Sequence, residues 1–94
     1  MSAYIIANVE VTDPEQYKHY QKFSSEAMQK YGARVLVRGG EVTALEGAHP
    51  GRLVVLEFDD VEAARRFYDS PEYRQGRAAR AEAAHMTMYI VQGV

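Results

Sequence analysis

The chain has 94 residues, 47% of them hydrophobic and 26% charged, a balance ordinary for one globular domain spanning residues 1–94. Lys and Arg total 11 against 13 Asp and Glu, so the basic excess that a phosphate backbone requires is missing and nucleic acid is not an expected partner. With no cysteine, disulfide frameworks, thiolate metal sites and cysteine nucleophiles are excluded; no apolar run exceeds strand length, so no leader or membrane span is expected and the chain reads as cytoplasmic.

"AYIIANVEV" (3–11) alternates, with Ile5, Ala7, Val9 and Val11 on one face and Tyr4, Ile6, Asn8 and Glu10 on the other, which predicts a first strand. Asp13 before Pro14 is a helix start: a carboxylate to accept from free backbone N–H groups, then a residue with no N–H to leave unpaired. Tyr17, Tyr20, Ser24, Ala27, Met28 and Tyr31 follow at spacings of three and four, one face of a helix that Gly32 can end in the left-handed conformation. "ARVLVRGGEVTALEG" (33–47) reads as a second strand broken by a bulge or bend at Gly39–Gly40, and "GAHPG" as a turn. "RLVVLEF" (52–58) is a third strand, after which Asp59 or Asp60 caps a second helix with Ala64, Phe67 and Tyr68 on one face. Ser70–Pro71–Glu72 repeats the start signature, so a further helix begins there, with Tyr73, Arg77, Arg80 and Ala84 in one stripe and Gly76 weakening it by about 1 kcal/mol relative to alanine. "MTMYIVQGV" (86–94) closes as a strand.

The order β, α, β, β, α with its extension, β is the split βαβ pattern of an α+β, ferredoxin-like sandwich: an antiparallel sheet with helices on one face. The third and fourth strands nevertheless carry apolar residues at both parities, as in Val54, Val55 and Leu56 or Met88, Tyr89, Ile90 and Val91. A second copy of the chain is the expected cover for the open sheet face, and homodimerisation is expected also because so short a chain buries only about 60 to 65% of the surface its unfolded form exposes.

In order and combination, "YIIANVEVTDPEQYKHY", "RGGEVTALEG", "LVVLEFDDVEAARRFYDSPEY" and the closing "VQGV" resemble domain-of-unknown-function family 1330 of the dimeric α+β barrel superfamily. The resemblance implies a dimer whose sheets face each other and a small-molecule cavity in each subunit between sheet and helices. The chain is distantly similar to haem-degrading monooxygenases, in which an Asn, a Trp and a His surround the haem; the matching positions here are Asn8, Phe67 and Arg77. A guanidinium cannot replace a histidine as iron ligand, so haem is not expected, and no other cofactor is. The similar antibiotic-biosynthesis monooxygenases work without cofactor, a template that Asn8 fits and Phe67, in place of tryptophan, does not.

Tyr73, Arg77 and Arg80 suit a carboxylate, enolate or phenolate, since an arginine fork beside a phenol donates several convergent hydrogen bonds. The alternative is a solvated helix whose arginines pair with Glu72, Glu82 or a partner chain. Asn8, Arg38 and Glu57 interrupt apolar strands and point either to a polar pocket or to a structural network. His19, His49 and His85 sit apart without ligand spacing, so no metal site is expected; His85, read as a residue of the loop before the last strand, is a candidate general base. The expected function is small-molecule binding, with a cofactor-independent enzyme for a small aromatic or acidic metabolite set against a non-catalytic sensor or carrier and a purely structural dimer.

Overall fold

The structure is a computed structural model that describes residues 1–48 and 51–94. Its elements are β1 (Ala3–Val11), α1 (Pro14–Lys30), β2 (Arg34–Arg38), β3 (Arg52–Phe58), α2 (Val61–Asp69), α3 (Pro71–Arg80) and β4 (Ala84–Gln92). The sheet runs β2-β3-β1-β4, every neighbouring pair antiparallel, the ferredoxin-like α+β arrangement. Ala3, Ile5, Ala7 and Val9 are buried beneath the helices. On the other face Tyr4, Ile6, Leu53 and Val55 are half-buried, and Tyr89 and Val91 are 53% and 42% exposed.

The capping chemistry acts where the residue types place it. Asp13 accepts from Gln16 N at 3.2 Å, and Asp60, rather than Asp59, accepts from Ala63 N at 2.7 Å. Ser70 ends α2 and starts α3, its buried hydroxyl donating to Phe67 O at 2.7 Å and accepting from Tyr73 N at 3.1 Å. Gly76 is where α3 crosses α1: a Cβ there would lie 3.3 Å from Phe23 Cβ and 3.4 Å from the Tyr20 ring, so the missing side chain that weakens the helix allows its close packing.

Three boundaries differ from the sequence reading. β2 ends at Arg38; its irregularity falls between Val35 and Val37, not at the glycine pair, and 41–47 form no strand. Gly39, at φ +69°, makes the last bond of the hairpin, donating to Leu53 O at 2.8 Å, and the left-handed conformation then turns the chain off the sheet. α3 stops at Arg80 although alanine-rich sequence continues, because Ala83 O accepts from Thr12 N at 2.8 Å and Asp13 N at 3.0 Å. That capture aligns Ala84 with Val11, so β4 begins two residues early, ends at Gln92, and contains both Ala84 and His85. The turn expected over "GAHPG" includes His49 and Pro50, which lie outside the described residues.

Candidate functional site

Strand parity divides the polar residues of the sheet between its two faces. On β3, Arg52 shares its face with Val54, Leu56 and Phe58, and the register sets Arg52 opposite Val9 and Arg38 opposite Val54. Both arginines therefore belong to the helix-covered side. There they meet Tyr17 and Tyr20 from α1, Phe67 from α2 and Tyr73 from α3 around a hollow with an open volume of about 30 Å³, comparable to the space of one water molecule.

Burial pushes the Tyr17 phenol up, while the guanidiniums of Arg52, Arg80 and Arg38 draw it back. Among the described residues none of these three cations has an ion-pair partner. Arg38 donates from Nη2 to Ser25 Oγ at 2.7 Å, and the Nε atoms of Arg52 and Arg80 are buried with no acceptor. Such a cluster is short of negative charge and of hydrogen-bond acceptors, which is what a bound anion supplies.

Deeper in, the phenol oxygens of Tyr20 and Tyr73 lie 2.8 Å apart. Tyr73 donates to Met88 Sδ at 3.7 Å, so Tyr20 is the donor to Tyr73. The Arg80 guanidinium stands 5.5 Å from the Tyr20 ring centroid. Burial raises both phenols, Tyr20 strongly, with Tyr73 adding to the rise. Near neutral pH they are hydrogen-bonding groups and not bases.

The eight residues singled out from the sequence do not converge on one place. Arg38, Phe67 and Tyr73 line the hollow. Asn8 and His85 lie on the opposite face of the sheet, in register with Thr87 and Glu10, and share an open cleft with Arg80. Asn8 is engaged there, its Oδ1 accepting from Gly51 N at 3.2 Å. His85 is a strand residue, not a loop residue, because β4 starts at Ala84. Arg80 belongs to both neighbourhoods, lining the cleft and standing against Tyr20. Arg77 turns the other way around α3: its Cζ sits 4.3 Å from the Tyr68 ring centroid and Nη1 donates to Tyr68 OH at 3.1 Å. Glu57 accepts from Arg34 Nε at 3.0 Å, a cross-strand pair.

Arg52 is not among the residues singled out from the sequence, where Tyr17 and Tyr20 stand only as part of one helix face. Period-two alternation was the available signal, since Arg52, Val54 and Leu56 share one parity of an otherwise apolar strand. Among the described residues no three His, Asp or Glu side chains gather as a metal site would require, and no helix is long and apolar enough to cross a membrane.

Residues 2–94 match the family model of a domain of unknown function, DUF1330. No curated protein matches the chain. Among solved structures, a protein of unknown function from Rhodopseudomonas palustris superposes with a TM-score of 0.79 at 18% identity, over 99% of this chain and 82% of that one. SnoaB, a cofactor-independent oxygenase from Streptomyces nogalater, gives 0.64 at 12% identity over 99% and 93%. A dimeric protein of unknown function with a ferredoxin-like fold, from Bacteroides fragilis, gives 0.59 at 14% over 98% and 96%. At these identities the likeness is one of fold.

Proposed function

The chain belongs to the domain-of-unknown-function family DUF1330, and we propose that it binds a small organic anion in the hollow between sheet and helices, acting as a homodimer joined through its open sheet faces. The observation that carries the first part is that Arg38 and Arg52 line the hollow beside Tyr17 and Arg80 stands 5.5 Å from the Tyr20 ring centroid, none of the three with an ion-pair partner among the described residues. Arginines held together in a partly desolvated place repel one another, and an anion relieves that repulsion while accepting from the idle Nε groups. Arg38 is exposed and Arg52 half-buried, so this end of the hollow is where a ligand enters. The apolar open face, with Tyr89 and Val91 53% and 42% exposed, supports the homodimer, as does the dimeric state stated for the Bacteroides fragilis protein.

Binding without turnover is the reading the chemistry favours. Burial holds the Tyr20 and Tyr73 phenols above their ordinary value, so neither serves as a base near neutral pH, and His85 lies across the sheet. Titration calorimetry with a panel of monocarboxylates tests the proposal. The wild type is expected to bind at least one of them, with Arg52→Ala and Arg38→Ala each weakening that binding about tenfold, the order expected for one lost charged hydrogen bond. Equal affinities in wild type and variants, or no binding by any acid, refute it.

A further inference from the structure

Resting on that reading of the hollow, we infer that the bound anion is an aryl carboxylate, its charged group on Arg38 and Arg52 and its ring among the methionines. Inward of the arginines the lining changes character: Met28, Met86 and Met88 contribute thioethers and Phe67 a ring, alongside aliphatic Val54 and Leu56. Two features of this wall select a flat aromatic body.

The first is deformability. An open volume of about 30 Å³ is too small for any ring, so the wall must give way. Methionine, unbranched and with three rotatable bonds, is the residue that does so at least cost. Met86 and Met88 are half-buried and can turn toward solvent, Met88 at the expense of the Tyr73 hydrogen bond, whereas Phe67 and Leu56 are fully packed. The second feature is polarisability. Sulfur against an aromatic ring gains about 0.3–1.5 kcal/mol per contact, roughly a 2- to 12-fold change in affinity, and a saturated ring of similar outline gains none of it. Aromatic contacts already organise the surroundings, with the Phe67 and Tyr73 ring centroids 4.7 Å apart.

The test is calorimetric titration of the wild type and of the Met86→Leu/Met88→Leu double variant with benzoate and with cyclohexanecarboxylate, two acids alike in charge and outline. Leucine keeps nearly the methionine volume, and an unchanged near-ultraviolet circular dichroism spectrum verifies that the variant is folded. The wild type is expected to bind benzoate at least about threefold more tightly than the saturated acid, and the double variant, whose stiffer wall weakens both acids alike, to bring that ratio close to one. If the two acids bind the wild type equally, the aryl inference falls and the anion site stands. A preference that survives in the double variant also overturns the inference, because the thioethers are then not its cause. If neither acid binds but another carboxylate does, the inference alone fails; if no carboxylate binds, the site itself fails with it.

Discussion

Tyr20 on α1 and Tyr73 on α3 are joined by a buried hydrogen bond of 2.8 Å between their phenol oxygens. The bond ties the two helices that cover the sheet, and the same two rings line the hollow. Because Tyr73 passes its own proton toward Met88 Sδ, the pair has a direction.

That direction makes the two tyrosines unequal in their effect on stability. Tyr73→Phe leaves the Tyr20 hydroxyl buried without its acceptor and is expected to cost about 1–3 kcal/mol. Tyr20→Phe leaves Tyr73 still donating to Met88 and is expected to cost less, about 0.5–1.5 kcal/mol. Urea denaturation of both single variants and the double variant measures this, and the double is expected to lose less than the sum because no orphaned hydroxyl remains.

Gly39 couples the fold to the site. Its φ of +69° disfavours any side chain, and a Cβ there would lie 2.6 Å from Arg52 Cζ. Gly39→Ala is expected to lower stability by about 1 kcal/mol or more and, by displacing the guanidinium, to weaken the proposed carboxylate binding as Arg52→Ala is expected to. Thermal unfolding and titration of the one variant read both effects.

Glu57 supplies an acid-sensitive contact. The Arg34 hydrogen bond is the main cause that holds its carboxyl below the usual glutamate range. A depressed folded-state pKa contributes stability that is present above the unfolded value and lost as pH falls through the folded one. Glu57→Gln is therefore expected to melt below the wild type at pH 7, with the gap closing as both are taken below the ordinary glutamate range. The pair is exposed, so the effect is small and weakens with salt.

Val55 sits on the open sheet face between Ile6 of β1 and Val37 of β2. If two such faces mate, Val55→Lys places a charge in an apolar interface and is expected to turn the dimer into a monomer in sedimentation velocity at micromolar concentration. The far-ultraviolet circular dichroism is expected to be retained, since the lysine does not enter the core beneath the helices.

Local chemistry was enough to write most of this fold into the chain. The bounds of β1 and β3, the caps at Asp13 and Ser70, and the α1 face of Tyr17, Tyr20, Ser24, Ala27 and Met28 each follow from the period of the apolar residues or from one short side chain able to cap. Position in space is another matter. Tyr73, Arg77 and Arg80 form one stripe on paper, yet Arg77 lies on Tyr68 of α2 and Arg80 on Tyr20 of α1, because flanking helices on either side of α3 offer each guanidinium a different ring. Nor does the alanine run after Arg80 reveal its own end, which comes from Ala83 O being held by the backbone of Thr12 and Asp13, far off along the chain. Arg38 and Arg52 line one hollow with Tyr17 while Arg80 stands against the Tyr20 ring beside it, a grouping that draws on four separate elements. Periodicity assigns a residue to a face of its own strand or helix; which residues of other elements it meets is decided when sheet register and helix packing bring those faces together.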